Sequence, residues 1–311
     1  MIDHAKILKI ISNFIQRSLT DSFLKGCELG LSGGIDSALM LAFANNALGK
    51  DKIHALMMPY YGNSNLDDAI ALARNFGIDY SILGIKDIHD AFIKRRTEKR
   101  LIKKGKTLYQ DWNKDITSQN LMARIRMCML YAEANEHDRI VLGTCNMSEI
   151  YVGYCTKHGD AACDIEPMGN LPKRGVYEMA KFWNDTHPDG PKIPEAILTK
   201  APSADLIPGQ TDEADIGPYE ILDNYIENVF GNKSHLINNR DAQRILKLNL
   251  KTEHKRNMPP MPTIPFELIT GDKDTKISSK DFVNILRTSL GTLNATQFRD
   301  LAASFLDVID E

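Results

Sequence analysis

The chain has 311 residues, 43% hydrophobic and 25% charged, with a net charge of -3. This is the composition of an ordinary globular protein of one large or two modest domains. The charge gives no nucleic-acid signal, and no run approaches the roughly 20 apolar residues of a membrane span. The start, MIDHAKILKIISNF, lacks the long apolar core of a secretory signal, so a cytoplasmic location is expected. The cysteines, Cys27, Cys128, Cys145, Cys155 and Cys163, are odd in number and include no CxxC pair. That argues against a disulfide framework or a structural zinc site.

In chain order, residues 2–19 carry Ile7, Leu8, Ile11, Phe14 and Ile15 at helical spacing. A short strand, 27–31, runs into a Gly-rich turn. A helix is expected over 36–48, ended by Gly49, then a buried strand over 53–58 stopped by Pro59. A helix over 66–76, a strand over 80–83, a long helix over 116–135 and a strand over 139–143 follow. The alternation predicts an α/β fold, a parallel sheet with helices on both faces.

Between residues 94 and 106 there are eight basic residues and one acidic. This is a solvated helix face or mobile loop, or else a patch that attracts an anionic substrate. Gly105-Lys106-Thr107 resembles the end of a Walker A loop. The first glycine of that pattern would fall on Arg100, which excludes it. Residues 187–218 carry six prolines and read as extended and loop-rich. Helices are expected over 219–230, 238–250, 279–289 and 295–308, with a Pro-rich stretch at 258–266. No composition break marks a second domain. The chain is read as one α/β domain, 1–311, with a helical C-terminal extension.

The segment GLSGGIDSALMLAFA, 30–44, takes a buried strand through glycines into a helix. Gly33 and Gly34 let the backbone approach an oxyanion and adopt positive φ. The helix N-terminus offers N–H groups and a favourable dipole, and Ser32 and Ser37 add hydroxyls. Asp36 repels phosphate unless a cation intervenes, which makes it a candidate Mg²⁺ ligand. The alternative is a plain strand–turn–helix corner with Ser and Asp as caps. The order serine, two glycines, aspartate, serine argues against it.

SGGIDS resembles the SGGxDS loop of the ATP pyrophosphatase superfamily. Those proteins cleave ATP between the α- and β-phosphates and hold pyrophosphate in this loop. Four further segments discriminate within the superfamily: Ala123-Arg124-Ile125-Arg126-Met127, LGTCNMSEIYVGYCTKHGDAACDIEPMGNLPK (142–173), KAPSADLIPGQTDE (200–213) and TEHKRNMPP (252–260). With the loop they resemble NAD synthetase, in order, over most of the chain. The loop at Ser32 is preceded by 31 residues, so the resemblance is to the ammonia-dependent form, or to a synthetase that receives ammonia from elsewhere, without a glutaminase domain.

The resemblance implies a Rossmann-like, adenine nucleotide alpha hydrolase-like sheet and a two-step reaction. The carboxylate of deamido-NAD attacks the α-phosphate of ATP and releases pyrophosphate. Ammonia then attacks the mixed anhydride, giving NAD and AMP. It implies ATP binding by Gly30, Leu31, Ser32, Gly33, Gly34, Ile35, Asp36, Ser37, Thr144, Lys173 and Ser203. It implies deamido-NAD binding by Arg124, Lys157, Asp164, His254 and Lys255, and Mg²⁺ on Asp36 and Glu149. Asp160 matches the base that takes a proton from ammonium, and a lysine at 173 suits a phosphate in transfer. The family's homodimer is expected, with no nucleic-acid or membrane partner.

Most of these residues also have a bland reading: Glu149 as a surface helix glutamate, Thr144 as a cap, Lys173 and Ser203 as solvent-facing loop positions, Asp160 as a turn aspartate, Arg124 as a helix-surface arginine, and His254 and Lys255 as the solvated end of a helix before the proline run. Several positions depart from the pattern. Ile35 stands where glutamine is frequent, and Ser203 where threonine is. Ala161-Ala162-Cys163 replaces a glycine-rich GGA, which questions how closely the backbone approaches the ligand and makes Cys163 a candidate redox-sensitive point. The stretch 184–194 is longer than in compact bacterial members. GMP synthetase's ATP pyrophosphatase domain is the rival enzyme, but it lacks the EHKR and SADLxxxQTDE segments. A tRNA-thiolating enzyme is less apt, since those usually carry paired cysteines. A non-catalytic ATP-binding module is the rival from another class.

Overall fold

The structure, a computed structural model, describes residues 2–60, 64–104, 116–204, 206, 209–231, 238–259 and 262. Residues Met1–Arg256 form one compact unit and Asn257–Glu311 a second. The helices expected over 279–289 and 295–308 lie outside the described residues, as does most of the Pro-rich stretch at 258–266.

Four parallel strands make the sheet: β1 (Gly26–Gly30), β2 (Ile53–Met57), β3 (Asp79–Ile82) and β4 (Arg139–Leu142), in the order β3-β2-β1-β4. Leu29 pairs with Ala55 on one side and Leu142 on the other. β1 and β2 are buried almost throughout. A parallel sheet is covered on both faces, and Glu28 and His54 are the polar residues buried within these two strands. β3 is the more exposed edge.

One face is covered by α1 (His4–Ser22), α2 (Ile35–Leu48), α3 (Ser64–Phe76) and α7 (Lys173–Thr186). Their buried residues share a core with Cys27 and Leu29 of β1: Ile15, Leu39, Phe43, Leu72, Val176 and Trp183. α2 is buried all round, with Ala38 to Ala44 inaccessible. It is therefore apolar without an amphipathic stripe. α1 starts two residues later than its apolar pattern suggests. The Asp3 side chain accepts the Lys6 N–H (3.0 Å) and sets the N-terminus.

The other face carries α5 (Ile116–Glu136), with α4 (Lys86–Lys104) beside it. Gly30 points to this side, where an added Cβ would meet Met58 and Leu130. Glu28 also points here and is fully buried. It accepts from Arg139 (2.8 Å) and contacts His54 Nδ1 (2.7 Å), so the buried carboxylate has partners on both neighbouring strands.

The first part of the basic stretch at 94–106 lies on α4. Side chains from residue 96 to 115 are outside the described residues. α7 was not foreseen, although Val176, Met179, Ala180 and Trp183 are buried at helical spacing. The Pro-rich segment 187–218 contains two short helices, α8 (Glu195–Thr199) and α9 (Asp212–Ile216). α10 (Tyr219–Gly231) and α11 (Asn239–Lys251) match their expected ranges within a residue. Together with α6 (Met147–Val152) they form a smaller core around Val152, Leu222 and Ile226.

Candidate active site

β1 has β2 on one side and β4 on the other, so the chain reverses direction across the sheet between β1 and β4. Such a switch point opens a crevice at the strands' carboxyl ends. A cavity of about 740 Å³ lies there, lined by residues that follow β1, β2 and β4.

The phosphate loop forms one wall. The Ser37 hydroxyl donates to the Gly34 carbonyl (3.1 Å), and the Ser32 N–H donates to Ser37 Oγ (3.3 Å). The Gly34 N–H donates to Ser32 Oγ (3.2 Å), and the two serine hydroxyls lie 3.1 Å apart. The side chains thus brace the loop from within. Gly33 has φ of +80°, and a Cβ there would run into the backbone carbonyl of Asn65. Gly34 differs from expectation. Its φ is -88°, and an added Cβ would meet only Ser32 Oγ at 3.4 Å. Only Gly33 needs left-handed backbone. Gly34 is the N-cap of α2 and makes no side-chain cap bond, so the helix presents its first N–H groups at the cavity.

Facing the loop is a buried ionic cluster. The Lys173 ammonium, 2% exposed, donates to Asp36 Oδ2 (2.6 Å) and Glu149 Oε1 (3.3 Å). Asn146 Nδ2 donates to Asp36 Oδ1 (2.9 Å). Asn146 also makes a capping box with Glu149: the Glu149 N–H donates to Asn146 Oδ1 (3.0 Å), and the Asn146 N–H to Glu149 Oε2 (3.1 Å). Tyr219 OH lies 2.9 Å from Asp212 Oδ2 and 3.3 Å from Glu149 Oε1, and its ring centroid is 4.9 Å from Lys173 Nζ. α7 is held at its start by α6 and α10. The Lys173 N–H donates to Ser148 Oγ (2.9 Å), and Asp223 accepts from Ser148 (2.5 Å) and from the Arg174 N–H (2.8 Å).

These contacts set the electrostatics. Burial, and then the neighbouring Asp36, raise the pKa of Glu149 although Lys173 opposes them. Burial pulls the Lys173 ammonium down, but Asp36 and Glu149 outweigh it and hold it charged. Burial also raises Asp212, whose Oδ1 has no hydrogen-bond partner and which lines the cavity. Two carboxylates converging on one cation beside a phosphate loop suit Mg²⁺, which takes one or two carboxylates plus phosphate oxygens and water. No group of three or more His, Cys, Asp or Glu that could hold a metal occurs among the described residues.

The opposite wall is the loop after α6. Asp160 Oδ1 accepts the Thr156 N–H (2.8 Å) and Thr156 Oγ1 donates to Asn120 (2.7 Å). Asp160 opens into the cavity and is exposed there. Lys255 Nζ donates to the carbonyls of Gly153 (2.7 Å) and Cys155 (2.6 Å). At the rim, Lys157 Nζ donates to the His254 carbonyl (2.7 Å), and Arg124 donates to the Lys157 carbonyl (3.3 Å).

Of the residues singled out from sequence, Gly30, Leu31, Ser32, Gly34, Ile35, Asp36, Ser37, Thr144, Glu149, Asp160, Ser203 and Lys255 line the cavity. Gly33 and Lys173 lie directly behind it. Arg124, Lys157 and His254 form the rim chain. Asp164 is not in the wall; it accepts the Val141 N–H (2.7 Å) and the Tyr131 hydroxyl (3.1 Å), tying β4 to α5.

Sequence reasoning gave no role to Asn146, Asp212, Tyr219 or Glu166. Asn146-x-x-Glu149 was a readable capping box. Tyr219 and Asp212 arrive through tertiary packing and left no local signal. Glu166 accepts from Cys163 Sγ (3.4 Å) behind Gly143, which has no room for a Cβ beside that thiol (2.6 Å). Burial pushes Glu166 up to about 8. Burial and Glu166 also raise the Cys163 thiol, which disfavours the thiolate a redox-sensitive cysteine needs.

A parallel sheet with a glycine loop at its switch point, faced by a carboxylate pair and a buried lysine, defines a nucleotide-binding α/β protein. The family model described as NAD synthase matches residues 7–259, and the chain belongs to that family. It is 37% identical over 274 residues to the NH(3)-dependent NAD(+) synthetase of Thermococcus sibiricus, covering 85% of this chain and 99% of that relative. The structure of NMN synthetase from Francisella tularensis is similar with a TM-score of 0.72 at 30% identity, over 85% of this chain and 100% of that one. NH3-dependent NAD synthetase from Campylobacter jejuni, solved with nitrate, has a TM-score of 0.67 at 31% identity, over 84% and 100%.

Proposed function

We propose that this protein is an ammonia-dependent NAD synthetase, converting deamido-NAD, ATP and ammonia into NAD, AMP and pyrophosphate. The observation that carries the reading is the Asp36–Lys173–Glu149 cluster set against the phosphate loop, in a chain alike over most of its length to ammonia-dependent relatives.

A carboxylate has no usable leaving group for amide formation, and adenylation supplies one. The loop's N–H groups and the start of α2 seat the phosphates. Lys173, kept charged between Asp36 and Glu149 at the phosphate loop, is the cation we assign to stabilising charge that grows during phosphoryl transfer. Asp36 and Glu149 are the residues that hold Mg²⁺, which when bound neutralises phosphate charge. Asp160, a carboxylate open to the cavity, is the group we assign to taking the proton that ammonium must lose. Thr144 and Ser203 contribute hydroxyls to ATP. Arg124 and Lys157 at the rim and Lys255 in the wall supply positive charge for an anionic dinucleotide, His254 completes the rim, and Asp164 acts there through Tyr131 and β4. The enzyme works in the cytoplasm as a homodimer.

The Francisella relative, described as an NMN synthetase, favours one second reading, a mononucleotide as the amide acceptor. Purified protein with Mg-ATP and ammonium, offered deamido-NAD, nicotinate mononucleotide or xanthosine monophosphate in turn, decides. Deamido-NAD turns over fastest on the first reading. Preference for the mononucleotide moves the assignment to the second, and ADP in place of AMP defeats both.

A further inference from the structure

The phosphate loop contains no cation, and Asp36 adds a negative charge to it. A triphosphate needs more positive charge than one divalent ion supplies. The basic residues that line the cavity, among the described residues, are Arg126, Lys200 and Lys255. Arg126 Nε donates to the Met58 carbonyl (3.0 Å), and Lys255 is committed to two carbonyls across the cavity. Lys173 is held between Asp36 and Glu149 and does not itself line the cavity.

Lys200 stands elsewhere. It follows α8, and its ammonium donates to Asn65 Oδ1 and, at 2.8 Å, to Asp68 Oδ2, both on the first turns of α3. Asn65 is also the residue whose backbone carbonyl leaves Gly33 no room for a Cβ. The Lys200 ammonium is thus one residue removed from the glycine of the phosphate loop, and Lys200, Asn65, Ser32 and Gly34 line the same cavity. An ammonium has three donors. Asn65 and Asp68 take two and aim the side chain, leaving the third for an anionic oxygen.

We propose that Lys200 binds the β- and γ-phosphates of ATP and retains them as pyrophosphate when the α–β bond breaks. The proposal rests on the NAD synthetase reading and adds to it the cation that serves the leaving group. Lys173 then serves the phosphorus under attack, and Lys200 the portion that departs. Because Lys200 begins the segment that carries Ser203, binding at Lys200 also ties that segment to the occupied loop.

The same side chain anchors residues 200–204 to α3, so the test must separate charge from anchoring. Binding of Mg-pyrophosphate and of AMP to the full chain is measured by calorimetry for wild type, Lys200→Met, Lys200→Arg and Asp68→Asn. Loss of one charge-assisted contact predicts pyrophosphate affinity about 10- to 100-fold weaker in Lys200→Met. AMP, which lacks those phosphates, keeps its affinity. Lys200→Arg recovers most of the pyrophosphate binding, and Asp68→Asn, which removes a competing carboxylate, tightens it. Unchanged pyrophosphate binding in Lys200→Met overturns the proposal. So does a parallel loss of AMP, or a loss in Asp68→Asn equal to that in Lys200→Met, since either marks a purely structural anchor. Wild type that makes no AMP and pyrophosphate from ATP and deamido-NAD defeats the underlying reading. Wild type that makes both, with an indifferent Lys200→Met, defeats the proposal alone.

Discussion

The ammonium of Lys173 lies 2.6 Å from the carboxylate of Asp36, 137 positions earlier in the chain. The contact joins the start of α2 to the start of α7 and puts the cation within 3.3 Å of Glu149. Two carboxylates this close repel each other unless a cation sits between them. Lys173→Met therefore leaves a buried acidic pair without its cation, at a cost on the order of 3–5 kcal/mol. Denaturant unfolding checks this, and added Mg²⁺ restores part of the loss. Unchanged stability means the cluster is solvated in the folded protein.

Asp36→Asn keeps a side chain that can bond Asn146 and removes one negative charge. The fold persists and Mg²⁺-dependent turnover is lost. Circular dichroism and steady-state assays over a magnesium titration read the two effects separately. Near-normal activity removes Asp36 from the metal site.

The two glycines of the loop are not equivalent. Gly33→Ala places a Cβ at φ of +80° against the Asn65 carbonyl and destabilises the protein by about 1–3 kcal/mol. Gly34→Ala meets only Ser32 Oγ at 3.4 Å and leaves stability nearly unchanged. Its effect falls on the KM for ATP, because the new methyl lies at the mouth of the helix N-terminus. Equal unfolding midpoints for the two variants contradict this assignment.

Much of this arrangement is legible in the sequence. The buried strands β1 and β2, the loop and α2 follow from an apolar run, paired glycines and a second apolar run. Asp36 and Glu149 lie on the first turns of the helices that follow β1 and β4, past the strands' carboxyl ends, where α/β sheets gather ligands. Lys173 is legible as a phosphate-site lysine, but its place between the two carboxylates is not, because its burial comes from α7 packing on α2. Tyr219 and Asp212 arrive past a Pro-rich segment, and nothing local marks their approach to Glu149. Gly34 shows the limit of composition, since a glycine pair predicts two left-handed residues and the loop uses one.

Glu166 gives a pH signature. Its folded pKa, pushed up to about 8, lies above the unfolded carboxyl value of about 4.3. Between those values the unfolded chain is ionised while the folded chain keeps its proton. Stability therefore falls as pH rises through that window. Glu166→Gln removes the difference, flattens the pH–stability curve above about pH 5 and stabilises the protein at pH 7.5 by at least about 1 kcal/mol. Thermal unfolding from pH 5 to 8.5 checks it. A variant that runs parallel to wild type shows Glu166 ionised in the fold.

In the proposed reaction ATP is attacked at its α-phosphate by the nicotinate carboxylate of the acceptor. Deamido-NAD labelled with ¹⁸O in that carboxylate, turned over with Mg-ATP and ammonium, tests it in one mass spectrum. One labelled oxygen is expected in the AMP phosphate and none in pyrophosphate. Label in inorganic phosphate or pyrophosphate, or AMP carrying no label, contradicts it.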